Sequence, residues 1–481
     1  MLGEPFRNVF GKFERMSSQL HRSLSWTTPL LRASALVFLF VGGFLVVFVA
    51  DLADRIESHG LQFLGGVGPV KVLCFVLAGL AALYFLVRYA EITLALFFLI
   101  GMIKGDERLA STPLDLTVAV GGIVLFSICI RLIAGRQKLA LPREYLLYLP
   151  LVAMMVISLA YTPDISGGLD KILRFFCLTS IGIIAPFVLF DSAAKLRNFL
   201  FAIAIGGLLV AVNSLTMLGG QDRLVSPSGL NTELGAASAI SLIIIWSLWF
   251  PKWSFFKRML FYPVLGVLAV ALIGSGGRFA NVSAVLCLII GALLCRKLFK
   301  DVAVLAALSL LALPFIWIPQ ASYDYLRSLA HPPDAMGTRS DLMALGVKMF
   351  SEHPFFGVGI QGFRFLSPNP LTYNYPHNLF LELGSEMGII AAISFLALAA
   401  CAFHEIWRQL CDPDLGDNSL VLTVFLLLIF VFLDAMVSGD INDLRFMWFV
   451  FGLPYVLRNV EASRFVVVLN EDMLGMTSPA S

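Results

Sequence analysis

Charge is scarce in this chain. Asp, Glu, Lys and Arg make up 14% of its 481 residues, hydrophobic residues make up 59%, and mean hydropathy is +0.87. A soluble domain carries about a quarter charged residues, so a water-soluble globule is excluded. The apolar runs lack strict alternation, which excludes a membrane barrel and leaves helices to satisfy the backbone inside lipid. Cysteine is absent from the outer loops. Cys74, Cys129, Cys177, Cys287, Cys295 and Cys401 fall in apolar runs and Cys411 in an inner loop. The outer face is therefore not stapled by disulfides, and no metal-ligand spacing appears. There is no internal repeat and no low-complexity tract, and a net charge of +2 carries no message about nucleic acid. No small-residue cleavage site follows the first apolar run, so Leu31–Ala50 reads as a retained span.

What is present is a series of long Leu/Ala/Val/Phe runs. Fourteen reach spanning or near-spanning length: 31–50, 65–87, 90–103, 115–134, 145–160, 172–190, 198–218, 234–250, 259–274, 279–295, 302–319, 378–403, 419–437 and 445–458. The runs 90–103 and 445–458 are short. The expected fold is an all-α polytopic bundle of about 12–14 spans with one long outer loop that holds short helices. The expected organisation is a cytoplasmic segment 1–30, spans over 31–319, an extracytoplasmic loop 320–376, spans over 377–458 and a tail 459–481. The first segment is either a basic amphipathic helix on the inner leaflet (Phe6, Val9, Phe10, Phe13, Met16) or an unordered tail. Basic residues in short loops set the orientation. With both termini inside, every inner loop is basic: Arg131, Arg136, Lys138 and Arg143 in one, Lys252, Lys257 and Arg258 in another, Arg296, Lys297 and Lys300 in a third.

The basic residues left outside carry the most information. Lys171 and Arg174 lie near a span end, Arg223 in a Gln-Asp-Arg loop, and Arg278 after Gly274-Ser275-Gly276-Gly277. Arg339 and Arg364 lie in the long loop. A guanidinium is a permanently charged fork suited to phosphate, and several on one membrane-flanked face predict a lipid-linked phosphate or pyrophosphate. Each also has a plainer reading. Lys171 and Arg174 would anchor a helix end, Arg223 would pair with Asp222 or Glu233, and Arg339 would pair with Asp341 at a helix start. Arg278 sits in a turn too tight for its side chain to drift into water. Arg339–Phe350 has the pattern of an amphipathic helix, with Leu342, Leu345, Val347, Met349 and Phe350 as its apolar positions.

Among six histidines, His21 and His404 are assigned inside, His59 stands among acids, and His331 and His353 each precede proline. His377 stands directly before a span in Tyr375-Pro376-His377-Asn378. An imidazole with a reference pKa near 6.5 suits a general base or an oxyanion contact; a structural role at the interface is the alternative. Gly357-Val358-Gly359-Ile360-Gln361-Gly362 is not a nucleotide loop, because no strand precedes it and it faces the wrong side for ATP.

These residues carry a resemblance. Arg339, then His353-Pro354-Phe355-Phe356-Gly357-Val358-Gly359-Ile360-Gln361-Gly362-Phe363, then His377-Asn378-Leu379-Phe380-Leu381 with Glu386-Met387-Gly388, resemble the O-antigen ligase and O-antigen polymerase superfamily of membrane glycosyltransferases. Gly277-Arg278-Phe279 is similar to that family's Ser-Arg-Gly turn, with Gly and Phe as departures. Arg223 through Gly229, Asn231 and Gly235 echoes a further loop. The resemblance is strong over 335–390, weaker over 220–280 and only hydropathic elsewhere. It implies a GT-C-like bundle at the inner membrane and a metal-independent transferase without cofactor, facing the periplasm. Undecaprenyl-pyrophosphate-linked glycan would be the donor, and lipid A–core (ligase) or a second lipid-linked glycan (polymerase) the acceptor. By this resemblance Arg278 and Arg339 neutralise the leaving pyrophosphate and His377 activates or orients the acceptor hydroxyl. Arg223, Arg174, Lys171, Arg364, Asn378 and Glu386 complete the substrate site, Asn378 and Glu386 acting with Glu382 from behind it or in helix packing.

Two other readings remain open from the residues. A polyprenyl-monophosphate-sugar transferase would use an acid in the first outer loop, where Asp51 and Asp54 lie. A lipid-glycan transporter would show inverted repeats or charges buried mid-span, and the polar residues cluster on one face instead.

Overall fold

Long apolar helices are what the composition calls for, and helices are what the computed structural model contains. It describes residues 81, 83–103, 115–135, 139–216, 224–312, 335–367, 375–412, 418–437 and 439–475. The N-terminal segment, the 31–50 span, most of 65–87, the end of 302–319, Asp51, Asp54, His59 and Arg223 lie outside the described residues. Among the described residues there is no strand.

The helices run in chain order as α1 (Ala90–Leu99), α2 (Leu116–Ile133), α3 (Tyr148–Ser158), α4 (Ile165–Arg174), α5 (Ser180–Leu189), α6 (Ala193–Thr216), α7 (Asn231–Leu248) and α8 (Phe255–Gly274). They continue as α9 (Arg278–Leu294), α10 (Arg296–Ala312), α11 (Ala335–Glu352), α12 (Gly362–Leu366), α13 (Leu379–Leu410), α14 (Asn418–Ala435) and α15 (Arg445–Gly475). A π turn over Phe175–Thr179 joins α4 to α5 in one helix, Ile165–Leu189. The sequence placed the start of that span at 172. The helix begins a full two turns earlier because Asp164 caps it, accepting from the Gly167 N–H at 2.9 Å.

Six helices among the described residues are long and apolar enough to cross a membrane: Leu116–Ile133, Ile165–Leu189, Ala193–Thr216, Asn231–Lys252, Phe255–Gly274 and Leu379–Leu410. Three shorter apolar helices, Ala90–Met102, Arg278–Leu294 and Ser419–Ala435, lie among them. The 145–160 run is a 3₁₀ turn (Arg143–Leu147) followed by the eleven-residue α3. At about 1.5 Å per residue, α3 alone covers only part of the roughly 30 Å hydrocarbon layer. The protein is an all-α polytopic membrane bundle.

At its centre, α7 packs against α6, α8, α9 and α14, and Trp246 on it is fully buried. Helix α13 packs against α3, α11, α14 and α15. Between α5 and α15 the backbones approach closely: a Cβ on Gly182 would meet the Arg445 carbonyl oxygen at 2.5 Å, and one on Gly452 would meet Pro186. Lipid supplies no hydrophobic drive between helices, so small residues that admit close van der Waals contact hold such pairs together.

Helix α11 covers the stretch read as amphipathic, 339–350, with one departure: Val347, counted there among the apolar positions, is exposed. Its Leu342 and Met349 are buried with Phe363 of α12 in a small separate core, while Arg339, Asp341 and Val347 are exposed. It thereby sits as a platform against the start of α13.

Candidate functional site at one end of the bundle

The glycine-rich motif turns out to be a splint for a broken helix. Gly388 interrupts α13 with φ 80° and ψ −176°. Such a break leaves backbone groups without intrahelical partners, and the loop after α11 supplies them. Val358 N–H donates to the Ser385 carbonyl (2.7 Å), Gly359 N–H to the Glu386 carbonyl (3.0 Å), and Ile389 N–H to the Pro354 carbonyl (2.8 Å). The approach requires glycine. A Cβ on Gly388 would lie 2.1 Å from the Phe355 oxygen, and one on Gly357 would lie 2.4 Å from the Glu386 carbonyl carbon. On its other side the loop is held by the segment before α4. Tyr161 Oη donates to the Phe356 carbonyl and Thr162 Oγ1 to the Ile360 carbonyl. Gly359 (φ 95°) rests against Thr162, where a Cβ would meet Cα at 2.5 Å.

Beneath this splint lies a buried ion triad. Lys171 Nζ is 2.6 Å from Glu382 Oε1 and 2.7 Å from Glu386 Oε2, with almost no solvent exposure on any of the three. Lys171 and Glu386, expected among the substrate contacts, are thus partners of each other. Asn378 is similarly occupied. Its side-chain oxygen caps α13 by accepting from Leu381 N–H (3.0 Å), and its Nδ2 donates to the Met436 carbonyl (2.9 Å) at the end of α14.

His377, between Pro376 and that cap, has φ 55°, a left-handed backbone that non-glycine residues rarely adopt. Its ring lies against Tyr375, with centroids 4.5 Å apart. Nδ1 is enclosed without a hydrogen-bond partner among the described residues. Burial, and then the nearby Arg339 guanidinium, pull the imidazole down to about 4. Burial and the carboxylates of Asp443, Asp440 and Glu382 push the Tyr375 phenol up to about 12, with Arg339 opposing. Arg339, Tyr375 and His377 therefore share one electrostatic neighbourhood with the 440–443 turn.

That turn was not singled out by sequence. Asp440 organises it, its Oδ1 accepting from the N–H groups of Asn442 (2.8 Å) and Asp443 (2.9 Å). Asn442 ties it to α4: Nδ2 donates to the Lys171 carbonyl at 3.0 Å, and Oδ1 accepts from Thr179 Oγ1 at 2.9 Å. Burial and Asp440 push the Asp443 carboxyl up to about 6, while Arg445 and Arg174 oppose the shift. The only signal available was a polar string, Gly439-Asp440-Ile441-Asn442-Asp443-Leu444-Arg445, between two apolar runs.

Tyr375, Asp443 and Arg445 border a cavity of about 410 Å³ between α1, α2, α6, α7, α14 and α15. Its polar lining includes Thr232, Glu233, Tyr375, Asp434, Asp443 and Arg445; Phe97, Phe98, Ile240, Phe430, Phe446 and Met447 form apolar walls. The volume falls within the range of small-ligand sites, about 300–1,000 Å³.

Of the remaining expected residues, Arg278 opens α9 and is half-buried. Its turn is pinned to the first turn of α7: Asn231 Nδ2 donates to the Ser275 carbonyl (3.2 Å), and Gly235 closes on Ser275 and Ala280. The same end of α7 presents Glu233 to the cavity. Arg174 is exposed and paired with Asp170 at 2.9 Å. Arg364 is exposed on α12, and His353 is exposed at the end of α11. Among the described residues no group of three or more His, Cys, Asp or Glu is arranged to hold a metal ion.

Comparison with known proteins gives two similarities. The family model described as O-antigen ligase matches residues 224–396, which include α7, α11 and the splinted break in α13. An O-antigen ligase from Pseudomonas aeruginosa is 24% identical over 330 residues, covering 65% of this chain and 76% of its own length. Over these residues the chain is similar to the O-antigen ligase family.

Proposed function

We propose that the protein is a membrane glycosyltransferase that moves a glycan from undecaprenyl pyrophosphate to an acceptor sugar of lipid A–core, at the periplasmic face of the bacterial inner membrane. The observation that carries this reading is His377. A strained, enclosed imidazole with a partnerless ring nitrogen stands beside a guanidinium and, through Tyr375, at the edge of a cavity. Strain at a polar residue is retained where the surroundings use it.

In this reading the donor is already activated, and the protein positions the acceptor and stabilises charge on the departing group. The acceptor hydroxyl oxygen attacks the anomeric carbon as the bond from that carbon to the pyrophosphate oxygen breaks. The hydroxyl proton passes to neutral His377. The electron pair of the broken bond goes to the pyrophosphate, whose added charge Arg339 and Arg278 neutralise. These guanidiniums supply the positive charge, so the reading calls for no metal. Arg174, Arg223 and Arg364 would extend the basic rim that draws in the diphosphate. Lys171, Glu382 and Glu386 would act through structure, holding α13 where it presents His377.

The test is transfer by purified protein from lipid-linked glycan, with and without lipid A–core. The expected result is glycan attached to the core in the core-containing reaction, and loss of about 10²–10⁴ in rate for His377→Ala with donor binding kept. Lengthening of the glycan without core would make the protein a polymerase. Undiminished transfer by His377→Ala would remove the histidine from the chemistry.

A further inference from the structure

The cavity and the basic rim differ in charge, and that difference assigns them different parts of the substrate. We propose that the 410 Å³ cavity is a pyranose-binding subsite, which takes a sugar ring of the glycan substrate and excludes its phosphates. The proposal rests on the glycosyl-transfer reading above and deepens it.

Among the described residues, the carboxylates of Glu233, Asp434 and Asp443 line the cavity with one guanidinium, Arg445. That guanidinium is partly committed, since its Nε donates to the Asn442 carbonyl at 3.0 Å. A diphosphate entering here would meet like charge at short range, and like-charge juxtaposition opposes binding. Hydroxyl groups meet the opposite situation. They are donors, and carboxylates offer about four acceptor positions each.

Asp434 supplies a second, independent observation. It lies on the last turn of α14 and lines the cavity, and its carboxylate has no hydrogen-bond or ionic partner among the described residues. A half-buried carboxylate facing a cavity without donors is unfavourable, and a ligand rich in O–H groups supplies what is missing. Glu233 is aimed differently. The Ser226 and Ser228 hydroxyls both donate to its Oε2, which fixes the carboxylate at the cavity wall. Aromatic residues such as Phe98 complete the lining, giving the apolar face of a sugar ring a surface to lie on. Finally, Tyr375 lines the cavity and also touches His377, so a ring bound here lies next to the imidazole.

The ring belongs either to the donor glycan or to the acceptor, and one experiment separates these sources. Asp434→Asn and Glu233→Gln are purified in detergent beside the wild type. Three quantities are measured: binding of undecaprenyl diphosphate bearing a sugar, binding of undecaprenyl diphosphate without one, and KM for the acceptor. A carboxylate-to-amide change that removes one charge-assisted hydrogen bond is expected to weaken sugar binding about tenfold. Loss confined to the sugar-bearing carrier supports the donor ring. A rise confined to acceptor KM supports the acceptor ring. In both cases the unchanged affinity for the sugarless carrier shows that the variants are folded. Equal losses for both carriers, or no change in any of the three, overturns the proposal. A wild type that transfers nothing and does not distinguish the two carriers would instead remove the glycosyl-transfer reading on which it rests.

Discussion

Three circumstances meet at His377: a left-handed backbone, burial of the ring, and a guanidinium nearby. Burial and Arg339 both disfavour the imidazolium, so the ring stays neutral at any pH well above about 4. A base must be unprotonated to act. The rate of glycan transfer is therefore expected to hold steady as pH falls through 6.5, the reference value for histidine, and to decline only toward about 4. Arg339→Gln removes the smaller of the two causes. Its acid limb is expected to move upward without reaching 6.5, because burial remains; a pH–rate profile of both proteins decides it. A wild-type limb at 6.5 or above would mean that another group is titrating. The histidine itself was legible from its place before a span. Its strained φ was not, because nothing local in Tyr375-Pro376-His377-Asn378 demands it: Asn378 must cap α13 and hold Met436 at once, and the chain bends at His377 to allow both.

The break in α13 shows what a motif conceals when read as letters. The spacing of Pro354, Gly357, Gly359 and Gly388 was visible in sequence, and the helices on both sides followed from hydropathy. What the glycines do depends on the exchange of backbone hydrogen bonds between the loop and α13, and on contact with Thr162. Both are set by tertiary approach and leave no periodic trace. The same limit hid the 440–443 turn, whose partners lie on α4. Gly388→Ala and Gly359→Ala are expected to lower the thermal unfolding temperature in detergent, since each combines a positive φ with a steric clash; strain of this kind is about 1–3 kcal/mol per residue. Gly266 in α8 is the control, because a methyl group added there would meet nothing within 4 Å. Alanine there favours the helix by about 0.5–1 kcal/mol, so Gly266→Ala should match or exceed the wild type.

Across the whole molecule, the ion triad fastens α4 to α13 and orientation places their shared end. Removing the cation from Lys171 leaves two carboxylates enclosed, which for a buried pair costs about 3–5 kcal/mol. Lys171→Met is expected to destabilise the protein severely, and Lys171→Met combined with Glu382→Gln and Glu386→Gln to recover much of the loss. Failure of the triple variant to recover would show that the triad's geometry, not its charge balance, matters. Orientation can be read with thiols. Cys411 is exposed at the far end of α13 from His377, and Ser351 is exposed on α11. A membrane-impermeant maleimide applied to spheroplasts should label Ser351→Cys, while Cys411 should react only after lysis. The reverse pattern would turn the site toward the cytoplasm.

The splint also has a consequence for biogenesis. Tyr161 and Thr162 grip residues 195 and 198 positions later in the chain, and the cavity closes only when 439–445 has arrived. A truncated chain that ends before residue 439 lacks part of the cavity wall and is expected to be inactive.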